Sequence, residues 1–126
     1  MPVATLQNTI TLALSVKDRH ASAAWFAEML GFETFDHADD AGWSELSTMT
    51  DGVTLGLGEQ TAPKPGNSVP VFGVASLDSA RAALEKAGVA FDGPTETMEG
   101  MVKLATFFDP DQNALMLAED LTGGAP

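Results

Sequence analysis

This 126-residue chain contains no cysteine. It therefore has no disulfide, no thiolate metal site and no cysteine nucleophile. Basic residues are also scarce, because six Lys and Arg stand against eighteen Asp and Glu, which gives a net charge of -12 at pH 7. Nucleic-acid binding depends on neutralising phosphates with basic side chains, so that function is excluded. Binding to an anionic membrane surface is disfavoured for the same reason.

Long apolar runs are missing as well. No stretch approaches the roughly 18 apolar residues of a membrane span, and the start, Met1-Pro2-Val3, lacks the basic and apolar regions of a secretory signal. Hydrophobic residues still make up 44% of the chain and charged residues 19%, which is typical of a globular protein. We therefore expect a soluble, cytoplasmic protein with one domain, or two small halves that share a core.

A pattern of predicted elements occurs twice along the chain. Residues 9–16 alternate between apolar and polar and predict a strand, and a helix follows from Asp18 as N-cap to Leu30, with Gly31 as its stop. The second copy has a strand at 69–74, a helix at 78–87 and a stop at Gly88. Further short strands are predicted at 32–36, 43–49 and 53–58 in the first half, and at 89–92, 101–108 and 114–118 in the second.

Both halves therefore read as βαβββ modules. Module one spans residues 7–58, a Pro/Gly linker covers 59–68, and module two spans 69–119. Each module alone is too small to bury its sheet, so the two are expected to pack together.

Four segments resemble, in order, those of the vicinal oxygen chelate superfamily, which contains glyoxalase I, extradiol dioxygenases and bleomycin-resistance proteins. They are SVKD at 15–18, WFAEMLGF at 25–32, ALEKAGV at 83–89 and FFDPDQNALML at 107–117. One departure is Gln112, where the family usually has glycine, so that turn is expected to differ in shape. The resemblance implies an α+β fold of two tandem βαβββ modules that form a half-open barrel around a cavity, and it implies a homodimer.

The same resemblance implies where a metal would sit. Metal-dependent members carry one ligand on the first strand and one on the fourth strand of each module. The positions of this chain that correspond to the family's metal ligands are Thr11, Gly56, Val69 and Met116. None of these four residues offers an imidazole or carboxylate ligand. Moving the alignment by one or two residues in either direction brings no such ligand to these positions. We therefore expect no metal and no other cofactor.

The chain has two histidines. His20 falls in the first turn of the first predicted helix, and His37 falls in a polar loop beside Asp36, Asp39 and Asp40. We expect the two to lie far apart as exposed surface residues, and they leave little scope for triad chemistry.

Strand alternation predicts which side chains line the cavity on the helix-free face. The candidate ligand-binding residues are Thr11, Trp43, Glu45, Gly56, Val71, Lys103, Phe107 and Met116. On the seventh strand we take Lys103, Ala105 and Phe107 as the inward set. The lining is mostly apolar with few polar groups, which is typical of a site for an organic ligand.

Two of these residues suggest specific chemistry. Trp43 could stack on a planar ring or on a cation. Glu45 could pair with a ligand cation, act as a general base, or pair with Lys103. The plainer alternative is that Trp43 and Met116 are ordinary core residues and that Glu45 points to solvent.

Three functions stay open. The favoured one is metal-independent binding or sequestration of a small hydrophobic or cationic aromatic molecule, as in the bleomycin-resistance branch, which the missing ligands and the negative charge support. The second is a lyase, isomerase or dioxygenase of the same fold acting on a small organic substrate, with Glu45 as its catalytic residue. The third is a degenerate module that serves dimerisation or regulation.

Overall fold

The computed structural model describes residues 2–123. Within that range the elements are β1 (Ile10–Val16), α1 (Arg19–Leu30), β2 (Glu33–Ala38), a 3-10 turn (Asp39–Ala41), β3 (Trp43–Ser47), β4 (Val53–Glu59), β5 (Val69–Gly73), α2 (Leu77–Lys86), β6 (Glu96–Met98), β7 (Val102–Phe108) and β8 (Ala114–Asp120). Neither helix of this range is long and apolar enough to cross a membrane.

The chain divides into two compact units. We call residues 10–69 the first module, and residues 70–123 together with 2–9 the second module. Both follow the order strand, helix and three strands, with spatial orders β2-β3-β4-β1 and β5-β8-β7-β6. The α+β class and the tandem βαβββ repeat are thereby confirmed. Residues 7–9, which the sequence assigned to module one, group with the second module, where the Gln7 N–H donates to the Gly73 carbonyl at 2.8 Å.

The first module buries one face of its sheet under α1. The Asp18 carboxylate accepts a hydrogen bond from the Ala21 N–H at 3.0 Å, and Gly31 ends the helix with a φ of 76°. The buried core consists of Ala23, Leu46, Leu55 and Leu57. Because Leu46, Leu55 and Leu57 alternate with other residues along their strands, those other residues lie on the opposite face, which we call the open face.

The second module is built in the same way around α2. The Ser76 hydroxyl accepts from the Ser79 N–H at 3.2 Å and caps the helix. The core between α2 and its sheet consists of Val74, Leu77, Ala80, Ala105 and Leu117.

One strand of the second module was predicted in the wrong place. Residues 89–92 form no strand, and Phe91 makes only an isolated bridge with Phe107. The strand at the sheet edge is β6, which pairs with β7. Gly93 has a φ of 71° and Pro94 has no N–H to donate, so pairing stops there and resumes at Glu96.

The hairpin between β7 and β8 keeps its tight turn despite the glutamine. Gln112 has a φ of 69°, the left-handed conformation that a glycine adopts without strain. The Asp109 carboxylate compensates, because it accepts from the N–H groups of Asp111 and Asn113 at 2.9 and 2.8 Å and from Asn113 Nδ2 at 2.9 Å. The turn therefore has the local conformation expected of glycine.

Candidate functional site

The open face of the first module carries a row of polar and small residues across three strands. In the strand register, Ala13 lies opposite Gly56, and Gly56 lies opposite Glu45. One step along, Thr11 pairs with Thr54. Small residues at the centre leave room above the sheet for the long side chains of β3.

Glu45 is at the centre of a hydrogen-bond network on this face. Its Oε1 accepts from Trp43 Nε1 at 2.6 Å, and its Oε2 accepts from Thr54 Oγ1 at 2.6 Å. Thr11 Oγ1 lies 3.3 Å from the same Oε2 and 2.8 Å from Thr54 Oγ1. Since the Thr54 hydrogen is used on Glu45, Thr11 donates to Thr54 and completes a chain of hydroxyls that ends on the carboxylate.

Trp43 lies flat over two glycines of β4. A Cβ placed on Gly56 would overlap Cζ2 and Cη2 of the indole, whereas a Cβ on Gly58 would sit at an ordinary 3.5 Å from the ring. Only glycine at position 56 therefore allows this indole position. One face of the ring covers β4, and the residue is half-buried.

This arrangement suits a positively charged organic group. A carboxylate has about four lone-pair sites, and the hydrogen bonds from Trp43 and Thr54 leave the others for a ligand. The donors also fix the direction of the carboxylate in advance, which lowers the entropy lost on binding. A half-buried indole next to a fixed negative charge can attract cations through the ring quadrupole and through charge together.

The structure thus brings Thr11, Trp43, Glu45 and Gly56 of the predicted set into one cluster. It adds Thr54, which the sequence placed on the same face but did not single out as a ligand-binding residue. The sequence signal for Thr54 was the alternation along β4, whereas its position beside Thr11 follows only from the pairing of β1 with β4.

The predicted residues of the second module are split between its two faces. Val71 pairs with Met116, and both alternate with residues that pack on α2, so they lie on the helix-free face as expected. Lys103 and Phe107 do not. Ala105 belongs to the core under α2, and Phe107 packs against that core.

The inward assignment of β7 was therefore wrong. Lys103 Nζ donates to Asp78 Oδ2 of α2 at 3.1 Å, and this hydrogen bond raises the pKa of Lys103. Lys103 therefore pairs with Asp78, and the alternative in which it pairs with Glu45 was wrong. Both faces of β7 carry mixed residues, so burial of the small Ala105 against α2 decided the orientation.

The residues at the family's metal positions do not fit a divalent metal. In the first module, the Thr11 hydroxyl is committed to the Thr54 network, and Gly56 is covered by the indole. In the second module, Met116 offers a thioether, a soft ligand that hard divalent cations avoid. We derive no chemistry through a metal at these positions.

A second polar cluster lies at the end of the first module, and here the sequence expectation was wrong. His37 belongs to β2 instead of a loop, and its ring stacks on that of His20 with centroids 4.1 Å apart. His20 Nε2 is 3.1 Å from Asp39 Oδ1. Both histidines are exposed as expected, but they are in contact because the first turn of α1 lies against the β2–β3 end.

The arginine beside them is buried and organises the cluster. Arg19, with 5% of its side chain exposed, donates from Nη1 to the Trp43 carbonyl at 3.1 Å and to Ser44 Oγ at 2.8 Å, and from Nη2 to Asp39 Oδ1 at 3.0 Å. The hydrogen bond from Arg19, and then that from His20, lowers the pKa of Asp39 below its ordinary 3.8. Asp39 is therefore a stable carboxylate.

Comparison with known proteins gives one family match. Residues 8–117 match the model of the Glyoxalase/Bleomycin resistance protein/Dioxygenase superfamily. No curated protein matches the chain.

Solved structures with similar folds include three that cover nearly all of it. Methylmalonyl-CoA epimerase from Mycobacterium tuberculosis has a TM-score of 0.72 at 15% identity, over 100% of this chain and 93% of that one. A variant of Streptomyces coelicolor methylmalonyl-CoA epimerase in complex with 2-nitronate-propionyl-CoA has a TM-score of 0.70 at 17% identity, over 97% and 100%. A superfamily member from Vibrio splendidus 12B01 has a TM-score of 0.64 at 19% identity, over 92% and 100%.

Proposed function

The chain belongs to the glyoxalase/bleomycin resistance protein/dioxygenase superfamily, and from that premise we propose that it binds a small organic cation with an aromatic or apolar body, without a metal. The site is the open face of the first module. Glu45 pairs with the positive charge and Trp43 contacts the apolar body. We also propose that the protein is cytoplasmic and forms a homodimer.

The observation that carries this proposal is the fixed carboxylate beside the half-buried indole of Trp43. Trp43 Nε1 and Thr54 Oγ1 hold the two oxygens of Glu45, each at 2.6 Å. A carboxylate held this way keeps a constant position, which favours recognition of a cation.

The charge around the site supports a cationic ligand. Between residues 10 and 69, nine Asp and Glu stand against three Lys and Arg. The summed negative field raises the local concentration of cations and repels anions.

The proposal is tested by titrating matched compounds into the protein. The probes are benzyltrimethylammonium and its uncharged carbon isostere, and the signal is Trp43 fluorescence in a Trp25→Phe background, since the chain has two tryptophans. We expect saturable binding of the cation and much weaker binding of the neutral compound. Glu45→Gln should weaken cation binding by about tenfold, because a hydrogen-bonded charge is lost.

The control is Glu28→Gln, the same change at an exposed position of α1, which should leave the affinity unchanged. Equal affinity for the charged and neutral probes, or an unaltered affinity in Glu45→Gln, would remove Glu45 from the site.

A second candidate is acid–base catalysis on a carbon acid, and the observation that favours it is the structural similarity to methylmalonyl-CoA epimerases. In that case Glu45 would remove a proton next to a carbonyl. The test is deuterium incorporation into methylmalonyl-CoA in D2O. Exchange above the buffer rate that disappears in Glu45→Gln would support catalysis over simple binding. The anionic substrate would have to overcome the net charge of -12.

A further inference from the structure

We propose that His20, His37 and Asp39 form a zinc-binding site at the surface of the first module, separate from the Glu45 site. The potential ligand atoms of these three residues all lie within 4.8 Å of one another. Two imidazoles and one carboxylate are the donor types of three-ligand zinc sites, in which water completes the coordination.

The cluster is separate from Glu45 because it uses the other face of β3. Ser44, which contacts His37, alternates with Trp43 and Glu45 along the strand and is fully buried on the α1 side. The register pairs His37 with Ser44 directly. A metal at the histidines would therefore leave the carboxylate network on the open face intact.

The three ligands are held by elements that Arg19 ties together. His20 follows Arg19 in the first turn of α1, and Asp39 begins the 3-10 turn after β2. The buried guanidinium bonds Asp39 and the Ser44 hydroxyl at 3.0 and 2.8 Å. The protein has thus already ordered this end of the module, which reduces the entropy that binding must overcome.

The distances are close to those that a tetrahedral zinc ion needs. With bonds of about 2.0 Å, two ligand atoms on zinc are about 3.3 Å apart. His20 Nε2 and Asp39 Oδ1 are already 3.1 Å apart. The two rings stack with an interplanar angle of 24°, so they must tilt towards the ion, and their exposed positions leave space for this movement.

The second nitrogen of His37 has the partner that a metal-binding imidazole requires. Nδ1 lies 2.6 Å from Ser44 Oγ, which leaves Nε2 for the metal. When zinc binds, Nδ1–H donates to the serine oxygen, whose two lone pairs accept from Arg19 and from His37. Such outer contacts fix the ring and its tautomer in known metal sites.

The electrostatics also favour a cation here. Asp39 brings a negative charge to the cluster, and the chain as a whole carries a net charge of -12 at pH 7. Nitrogen ligands select zinc over magnesium or calcium, which prefer oxygen.

The experiment is calorimetric titration of the full chain with zinc chloride in a non-chelating buffer. We expect one zinc per chain, and at least tenfold weaker binding in His20→Gln and in His37→Gln, since even outer-shell changes cost about tenfold or more. Asp40→Asn is the control for local charge, because it removes one negative charge from the same turn without removing a ligand. The affinity of Asp40→Asn for zinc should match that of the unchanged chain.

A second measurement follows the ring signals of the two histidines by NMR during the zinc titration. The ring signals of His20 and His37 should shift together and stop changing at one equivalent of zinc. The proposal is overturned if the unchanged chain takes up no zinc up to about 1 mM, if only one histidine responds, or if the His20→Gln/His37→Gln variant binds zinc as tightly as the unchanged chain. Far-ultraviolet circular dichroism of each variant shows that the fold is retained.

Discussion

Trp43 can lie flat on β4 because the residue beneath its six-membered ring has no side chain. Gly56 is in extended backbone and needs no special conformation, so its role is steric. The indole nitrogen then reaches Glu45 Oε1 at 2.6 Å, and the carboxylate is fixed. A single missing methyl group thus determines where the proposed binding charge sits.

This argument predicts the effect of a small substitution. Gly56→Ala places a Cβ within the volume of the Trp43 ring, so the indole must rotate away and its bond to Glu45 breaks. We expect the emission of Trp43 to move to longer wavelength in a Trp25→Phe background, and cation affinity to fall by about tenfold.

Gly58→Ala is a matched control for this prediction. Its Cβ would meet the same ring at 3.5 Å, an ordinary contact, so the emission and the affinity should stay as they are. If the two alanine variants behave alike, the indole does not depend on the space above Gly56.

At the scale of elements, the β7–β8 hairpin depends on one side chain at its turn. Asp109 accepts hydrogen bonds from the Asn113 side chain and backbone, and then from the Asp111 backbone, and these lower its pKa from the ordinary 3.8. A folded-state pKa below the unfolded one means that the ionised carboxylate stabilises the hairpin above about pH 4. That stabilisation is lost as the pH falls through the lowered pKa.

We therefore predict that Asn113→Ala changes the acid response of the fold. The Asp109 carboxylate loses its largest donor, so its pKa should rise towards 3.8, the free energy of unfolding at pH 7 should fall, and less stability should be lost between pH 5 and pH 2. Urea unfolding at several pH values and carboxyl NMR titration measure this. Asn8→Ala, at an exposed position outside the hairpin, should leave the pH profile unchanged; a parallel profile in Asn113→Ala would contradict the prediction.

Elements with a single periodicity and a clear cap were predictable from the sequence. Asp18 and Gly31 fixed both ends of α1, and the alternation of Leu46 with its neighbours assigned the faces of β3. The predicted open face of the first module followed from that alternation alone. The proposed site residues there were therefore accessible to sequence reasoning.

Other parts depended on contacts between distant elements. On β7, both alternating sets were mixed, so only the packing of Ala105 on α2 decided the face. The contact of His20 with His37 depends on how the first turn of α1 meets the end of β2, which no periodicity encodes. The hydrogen bond of Thr54 to Glu45 likewise follows from strand register, and that of Trp43 depends on the indole lying over Gly56 of β4.

At the scale of the whole molecule, the net negative charge favours cations over anions as ligands of the proposed site. The chain carries -12 at pH 7, so binding of a cation gains from a field of many charges in addition to Glu45. Salt screens that field, since the Debye length falls from about 30 Å at 10 mM to about 8 Å at 150 mM. A contact ion pair is screened much less than the remote charges are.

The affinity for benzyltrimethylammonium should therefore fall several-fold between about 10 and 150 mM salt, because the shorter Debye length screens the remote charges, while that of its neutral isostere stays constant. Glu45→Gln should bind more weakly at both salt concentrations yet keep most of the salt dependence, because the other acidic residues are unchanged. Fluorescence titration at each ionic strength separates the two effects. If Glu45→Gln abolishes the salt dependence, the field is local to that carboxylate; if the neutral compound shows the same dependence, the effect is not electrostatic and the cation proposal loses its support.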